Sequence, residues 1–238
     1  MRYQDCKKLC FLTKKKEPIV SKVQVDEFTS MVEKNFDYDF NGESSFYPYE
    51  FPEQLKNIDF QIMVITGASG RGKSTFLKEF ENYNNLNKIY DNSKAIVSNF
   101  KSPQDASERL SAVGLNSMPV WCRPRSVLSV GEGFRADVAL NLESYTIFDE
   151  FTSTVDRSVA KSTCNSVQRY IRDKNLKNIV FCSCHKDYIP VLKPDIVVDL
   201  DEETVFDCRG ECLGETLSSK CVNMETSTFG ACLGTIII

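Results

Sequence analysis

Residues 60–75 constrain the fold of this 238-residue chain more strongly than any other stretch. They read FQIMVITGASGRGKST. The apolar run Ile62–Ile65 predicts a buried strand, and the stretch from Thr75 to Phe80 predicts a helix. The residues between them match the pattern G-x-x-x-x-G-K-S. A strand, a glycine-rich loop and a helix in this order are the context that a phosphate-binding loop requires.

Each part of this loop, called the phosphate loop below, has a physical role in binding a nucleotide. Successive backbone N–H groups form a concave anion site, and the helix N-terminus adds its dipole. Glycine permits backbone geometries and close phosphate approach that a β-carbon would hinder. We expect Lys73 to reach the β- and γ-phosphates and the Ser74 hydroxyl to ligate Mg²⁺. The predicted nucleotide-binding residues here are Gly67, Ala68, Ser69, Gly70, Arg71, Gly72, Lys73, Ser74 and Thr75.

Composition restricts the class of protein further. An apolar content of 42% with mixed charge predicts a packed globule. The net charge of −4 gives no general nucleic-acid or membrane footprint. The sequence has no run of about 18 apolar residues, and its first residues lack the apolar segment of a signal peptide. We therefore expect a cytoplasmic protein.

The ten cysteines are many for such a protein. Several lie in strand-like runs, where a cysteine serves as a small core residue. The Cys6/Cys10 and Cys208/Cys212 pairs lack the C-x₂-C spacing of common zinc sites. Reduced thiols are expected.

Hydrophobic periodicity predicts strands alternating with helices, and hence a mainly parallel α/β sheet with helices on both faces. Helices are predicted at 22–36, 75–80, 102–113, 128–140 and from Asp156 onward, and strands at 62–65, 88–90, 95–100, 145–148, 178–183 and 196–200. The expected division is an N-terminal extension with a helix (1–44), a nucleotide-binding domain (45–200) and a cysteine-rich tail (201–238). The tail is either a small β appendage or the start of a truncated domain.

An acidic pair, Asp149 and Glu150, ends the predicted strand at 145–148. Asp149 can hold the water shell of Mg²⁺. Glu150 is placed to polarise an attacking water as a general base. Following a phosphate loop, this pair predicts nucleotide hydrolysis.

Between the loop and the acidic pair, Leu128-Ser-Val-Gly-Glu132 resembles the signature of ATP-binding-cassette (ABC) ATPases, usually L-S-G-G-Q or L-S-G-G-E. Val130 stands where the family has its first glycine. The resemblance implies that Ser129 and Gly131 close over the γ-phosphate of ATP held by a second subunit. It also implies a head-to-tail homodimer that forms around ATP.

Two further segments follow in the family's order. Ser153-Thr-Val-Asp156 resembles the D-loop, which links the two active sites of the dimer and makes Asp156 a candidate cofactor-binding residue. His185, the chain's single histidine, follows a predicted strand as the family's switch histidine does, and by resemblance would contact the γ-phosphate.

Two assignments stay open. The family's Mg²⁺-sensing glutamine corresponds either to Asn99, which matches better in position, or to Gln104, which matches better in chemistry. Upstream of the phosphate loop, Tyr47 and Tyr49 are candidates to stack on adenine, and core packing is an equal alternative for both.

The runs 110–125, 149–160 and 193–195 resemble a narrower group of soluble ABC-type ATPases from prokaryotes and phages. Some members of that group carry a fused GNAT-type acetyltransferase-like domain, which makes such a domain, or an unknown protein, a candidate partner. The short interval between Lys73 and Ser129 predicts a reduced helical subdomain.

The resemblance therefore predicts an α/β P-loop NTPase fold of the ABC type and an Mg²⁺-dependent ATPase. Three alternatives remain. A transporter ATPase subunit should have a longer helical subdomain, and a DNA-repair cassette should show coiled-coil heptads or a basic face. A non-catalytic module would use ATP as a dimerisation switch and combine tight binding with slow turnover.

Overall fold

The computed structural model describes residues 2–80, 82–85 and 88–210. Its centre is a seven-stranded sheet with the order β1-β9-β8-β4-β7-β6-β5, and β2 and β3 form a separate pair. The strands are β1 Lys7–Phe11, β2 Ile19–Lys22, β3 Glu43–Phe46, β4 Ile62–Thr66, β5 Asn84–Asn85, β6 Thr146–Phe148, β7 Ile179–Ser183, β8 Ile196–Asp199 and β9 Thr204–Asp207.

The predicted mainly parallel sheet is confirmed. The five strands β8, β4, β7, β6 and β5 run parallel to one another. At one edge β9 pairs antiparallel with β8, and β1 pairs antiparallel with β9. The sheet thus takes in strands from both sides of the predicted 45–200 domain. We predicted no element in residues 1–20, because β1 is an edge strand whose side chains show no alternation of buried and exposed positions.

The described residues also form helices, several of which flank the sheet. They are α1 Glu27–Phe36, α2 Glu53–Lys56, α3 Lys73–Leu77, α4 Pro103–Ala112, α5 Met118–Trp121, α6 Val130–Asn141, α7 Arg157–Asp173 and α8 Ile189–Leu192. The long helices begin where local signals predict. Ser102 accepts a hydrogen bond from the Asp105 amide at the start of α4, and Pro103 occupies its first turn.

The predicted strands at 88–90 and 95–100 are wrong. Residues 88–90 are irregular, and Ile96–Asn99 form a 3₁₀ helix. Ile96 is fully buried, and its amide donates to the Arg123 carbonyl at 2.9 Å. A short apolar run indicates a buried segment, but the hydrogen bonds of its backbone can be made to a loop as well as to a neighbouring strand.

The core lies on both faces of the sheet, and β4 shows why. All five residues of β4 are buried. Ile62 and Val64 pack on the face covered by α4, α6 and α7, whereas Met63 and Ile65 pack on the face covered by α3. This alternation is the period of two expected for a strand enclosed on both sides. The strand is therefore firmly held where it delivers the chain to the phosphate loop.

The helix predicted at 22–36 is confirmed only from Glu27 to Phe36, as α1 with Asp26 as its N-cap, whereas Lys22 ends β2. Its apolar side chains do not reach the core. Phe28 and Phe36 are 76% and 73% exposed, and α1 has no buried residue. Within the described ranges, no helix has the length and apolar character needed to cross a membrane.

The structure also bears on the cysteines. Among the described residues, Cys10, Cys122, Cys164, Cys182 and Cys184 form no disulfide, and the reduced state stays a prediction. Cys212, Cys221 and Cys232 of the predicted tail lie outside the described residues.

Candidate nucleotide-binding site

The carboxyl ends of the parallel strands meet at one edge of the sheet and bring the predicted site segments together. Thr66, the last residue of β4, lies opposite Ser183 of β7 and Asp199 of β8. On the next strand Phe148 lies opposite Phe181, so the acidic pair follows at the same edge. In open α/β sheets, ligands bind outside the carboxyl ends of the strands. The phosphate loop, the acidic pair and the His185 loop therefore share one edge.

The phosphate loop depends on glycine at Gly72. This residue has φ of +92° and is the N-cap of α3. A β-carbon added there would lie 2.5 Å from Cζ of Phe46, the last residue of β3. A side chain at this position would therefore be strained and would also clash. Sequence reasoning missed Phe46, because its contact joins segments that show no local pattern in common.

Lys73 is directed at its own loop. Its Nζ donates to the carbonyls of Gly67 at 2.8 Å and Ala68 at 3.0 Å, and the residue is buried. Ser74, next in α3, is exposed. The loop thus holds a cation and presents a hydroxyl at the beginning of a helix, which are the two groups that the predicted role in phosphate and Mg²⁺ binding requires.

The acidic pair lies in a tight turn after β6. The Glu150 amide donates to Oδ1 of Asp149 at 2.8 Å, and both residues are exposed. Glu150 has φ of +52°, a left-handed conformation that costs a non-glycine residue about 1–2 kcal/mol. The turn is fixed by the Phe151 amide, which donates to the Cys182 carbonyl at 2.8 Å. Exposed carboxylates on a constrained turn are available to a metal ion or a water.

Cys182 lies on β7, the strand between β4, which leads to the phosphate loop, and β6, which leads to the acidic pair. This thiol of β7 is fully buried. Burial raises its pKa, the charge and hydrogen bond of Asp149 and the charge of Glu150 raise it further, and the charge of Lys73 opposes them. The phosphate-loop cation and the acidic pair therefore act on the same buried group. Cys182 is one of the cysteines in strand-like runs that were expected to serve as core residues, and the sequence gave no signal for its place beside the acids.

His185 is the second residue after β7 and is half-buried. Its backbone amide donates to Oγ of Ser183 at 3.2 Å. Its Nδ1 is buried without a hydrogen-bond partner among the described residues, and the same holds for Oγ1 of Thr66. Buried polar atoms are normally paired, so these atoms are candidates to meet a ligand or water at the sheet edge.

The signature segment is built as a helix start. Ser129 is the N-cap of α6, and its Oγ donates to Oε2 of Glu132 at 2.8 Å. The Glu132 amide donates to Ser129 Oγ at 3.3 Å, and the Ser129 amide donates to Oε2 of Glu132 at 3.0 Å; these two bonds form a capping box. Val130 is 66% exposed, and Gly131 packs against Val159 of α7. The N-terminus of α6 is thus rigid and accessible from solvent.

Arg125 buttresses this helix. Its guanidinium makes two hydrogen bonds to the Asp137 carboxylate, at 2.8 and 2.7 Å. It also covers Gly133, where an added β-carbon would lie 2.4 Å from Nη1. A larger residue at 133 would displace the guanidinium of Arg125 from this position.

Asp156 of the D-loop-like segment caps α7. Its Oδ1 accepts hydrogen bonds from the amides of Ser158 at 2.9 Å and Val159 at 3.0 Å. The side-chain bond from Ser158 is the leading cause that lowers the pKa of Asp156. This carboxylate has a structural function in its own subunit, and a role toward a nucleotide stays a prediction.

The two candidates for the Mg²⁺-sensing residue are engaged locally. Asn99 accepts from the Asp91 amide at 2.7 Å and donates to the Ala95 carbonyl at 2.9 Å. Gln104 donates to Glu108 one turn further along α4, at 2.8 Å. Asn99 ends a 3₁₀ helix instead of the predicted strand. The structure thus leaves the choice between them open.

The two candidate adenine-stacking tyrosines differ. Tyr49 is buried, and its hydroxyl donates to the Leu200 carbonyl at 3.1 Å and to Oε1 of Glu203 at 2.9 Å. Burial is the main cause that raises its pKa to about 12. Tyr49 therefore packs in the core, whereas Tyr47 is 47% exposed and remains accessible.

Comparison with known proteins identifies the fold. No protein-family model matches the chain, and no curated protein matches its sequence. An inward-facing ABC transporter described as metal-chelate type is similar with a TM-score of 0.51 and 14% identity, over 69% of this chain and 78% of that one. This likeness confirms the predicted α/β fold of the ABC type.

Two dimeric structures of the bacterial ABC transporter cassette MJ0796 align less closely. One has a TM-score of 0.48 at 14% identity, over 68% of this chain and 89% of that one. The other, a post-hydrolysis state bound to ADP and Pi, has a TM-score of 0.49 at 14% identity, over 84% and 100% of the two chains.

Proposed function

We propose that this protein binds and hydrolyses Mg-ATP. The observation that carries the proposal is the shared carboxyl edge of the parallel sheet, where the loop that holds Lys73 follows β4 and the exposed Asp149 and Glu150 follow β6. A phosphate-loop cation beside two exposed carboxylates is the minimum set of groups needed to hold a nucleotide triphosphate and activate a water.

The residues present fit Mg-ATP. Amides of the phosphate loop and the start of α3 would bind the β- and γ-phosphates, with Lys73 exchanging its two loop carbonyls for phosphate oxygens. Ser74 and Asp149, both exposed, would hold Mg²⁺, which neutralises charge that develops on the phosphates. Glu150 would accept a proton from the attacking water, and His185 would contact the γ-phosphate.

We further propose that the enzyme acts as a head-to-tail dimer. The exposed N-terminus of α6, with Ser129 at its cap, is a ready anion site that could close over the γ-phosphate of a partner's ATP. Val130 stands in place of the first glycine, and its exposed side chain lies on the surface that a partner's ATP would approach.

We favour a soluble ATPase over a transporter subunit. Between β5 and α6 the described chain has one helix of ten residues, α4, and the four-residue α5. This short insertion offers little surface for a membrane partner. The soluble prokaryotic and phage group, with an acetyltransferase-like or other protein partner, remains the proposed context.

The test is ATP hydrolysis and ATP affinity of the Lys73→Ala variant with Mg²⁺ present. We expect both to be lost, because the variant lacks the cation beside the phosphates. Lys174→Ala is the matched control, since Lys174 pairs with Glu108 at 2.6 Å at the far end of α7. Near-normal ATP affinity of Lys73→Ala in calorimetry would contradict the proposal.

A further inference from the structure

A chain of charged contacts joins the His185 loop to the phosphate loop. Lys186 directly follows His185, and its Nζ lies 2.9 Å from Oδ2 of Asp199 and 3.0 Å from Oδ2 of Asp201. Asp201 extends this series of contacts to the phosphate loop, because its Oδ1 accepts a hydrogen bond from the Ala68 amide at 3.0 Å. It also pairs with Nε of Arg71 at 3.3 Å. Asp201 therefore contacts two residues of the phosphate loop and the neighbour of His185.

This series of charged contacts is anchored in the protein interior at one end, by Asp199. Asp199 is fully buried, at the end of β8. It accepts hydrogen bonds from the Tyr3 hydroxyl at 2.6 Å and from the amides of Asp201 and Glu202 at 2.9 and 3.2 Å. A buried carboxylate with this many donors is fixed in place, and it fixes the ammonium of Lys186 with it. Lys186 thus holds a defined position from which it reaches Asp201.

The opposite side of the His185 loop is held as well. Asp187 pairs with Arg157 through two hydrogen bonds and with Lys161 at 3.3 Å. Arg157 opens α7, directly after the D-loop-like segment. His185 itself has a buried Nδ1 with no partner in the described part of the chain. Because the side chains of Lys186 and Asp187 are both paired, the loop that carries His185 is held on two sides.

Asp201 is charged, and its charge is not explained by phosphate binding. Burial opposes ionisation, yet the Ala68 amide and the Lys186 ammonium outweigh it and lower the pKa of Asp201. A carboxylate beside a phosphate site repels the ligand. Affinity for the nucleotide would therefore favour a neutral residue here, whereas an anion is required to hold both Lys186 and the loop amide.

We propose that Lys186 and Asp201 are positioning residues for the proposed ATPase reaction, with their ion pair setting the His185 loop relative to the phosphate loop. The inference rests on the proposed function. It predicts a separation of binding from turnover. Asp201→Asn keeps the shape, but the amide oxygen can accept from one of the two donors at a time, so one contact is lost.

The experiment measures the Kd for Mg-ATP by calorimetry and kcat by phosphate release in the full chain. For Asp201→Asn we expect a Kd equal to or tighter than that of the wild type and a kcat about 10- to 100-fold lower, the scale of a misplaced catalytic group. Lys186→Arg should retain most of kcat, and Lys186→Met should lose as much as Asp201→Asn. Lys174→Met, at the end of a 17-residue helix and so about 25 Å from the site edge, is the control.

A double variant tests whether the two residues act as one unit. Lys186→Met combined with Asp201→Asn should lower kcat no further than the more damaging single change, since either one already breaks the pair. Thermal unfolding verifies that each variant is folded. Lys186→Met leaves Asp199 without its cation and could fail to fold. In that case the kcat and Kd of Asp201→Asn alone test the positioning role.

Two results would overturn the inference while leaving the proposed function intact. One is a kcat for Asp201→Asn within twofold of an active wild type. The other is a Kd that weakens in proportion to the loss of kcat, which would make the pair a binding element. A wild-type chain that neither binds nor hydrolyses Mg-ATP would instead refute the proposed function and the positioning role with it.

Discussion

Gly72 gives the sharpest structural test of the phosphate loop, because two separate costs meet at one β-carbon. Gly72→Ala forces alanine into φ of +92°, which costs about 1–2 kcal/mol. It also places a methyl group 2.5 Å from Cζ of Phe46, and overpacking of this kind typically costs about 1–3 kcal/mol. The expected loss of unfolding free energy is therefore about 2–5 kcal/mol.

Gly70 is the matched control within the same loop. It has φ of +79°, and an added β-carbon would meet no atom within 4 Å among the described residues. Gly70→Ala should therefore carry the backbone cost alone, about 1–2 kcal/mol. Removing the Phe46 ring should make the cost of alanine at residue 72 equal to its cost at residue 70. In a Phe46→Ala background, Gly72→Ala should also cost about 1–2 kcal/mol.

Urea unfolding of the single and double variants measures these differences. The coupling between Gly72→Ala and Phe46→Ala should be about 1–3 kcal/mol. Calorimetry should in addition show at least about tenfold weaker Mg-ATP binding for Gly72→Ala, since the change displaces the N-cap of α3 beside Lys73. Equal costs at Gly70 and Gly72, or a cost at Gly72 that Phe46→Ala does not reduce, would refute the reasoning.

Three further predictions test the site and the electrostatics. His185→Ala should bind ATP yet turn over about 10²–10³-fold more slowly, and an unchanged kcat would return this histidine to a structural role. Glu150→Gln should dimerise with ATP but not with ADP in light scattering, because ATP then acts as a ligand of the dimer, and adding Ser129→Arg should prevent assembly. A monomer under all conditions would contradict the head-to-tail arrangement. Burial opposes ionisation of Glu143, but Lys88 and Arg109 outweigh it and lower its pKa to about 2, so its stabilising contribution should be lost as pH falls from about 5 to 2. In urea unfolding, the free energy of unfolding of Glu143→Gln should depend less on pH over that range than that of the wild type. The same pH dependence in both proteins would contradict the stabilising role of Glu143.

Features set by neighbouring residues were predictable from the sequence. The phosphate loop follows from a buried apolar strand, three glycines and a lysine within thirteen positions of one another. The caps of α4, α6 and α7 are side chains that bond to amides two or three residues ahead, as at Ser102, Ser129 and Asp156. Such interactions form within one turn of chain, so their residue types recur at fixed spacing and can be recognised without a fold.

Only the tertiary structure decided which segments that are distant in sequence contact each other. β1 joins the sheet through β9, nearly two hundred residues later, and the Tyr3 hydroxyl reaches Asp199 at 2.6 Å. Phe46 leaves no space for a side chain at residue 72, and Asp201 links Lys186 to the phosphate loop. The sequence also predicted a strand where Ile96 lies in a 3₁₀ helix, and it gave no sign that the apolar residues of α1 would be exposed. Periodicity measures how apolar one face of a segment is, whereas its partner is chosen by the packing of the whole chain.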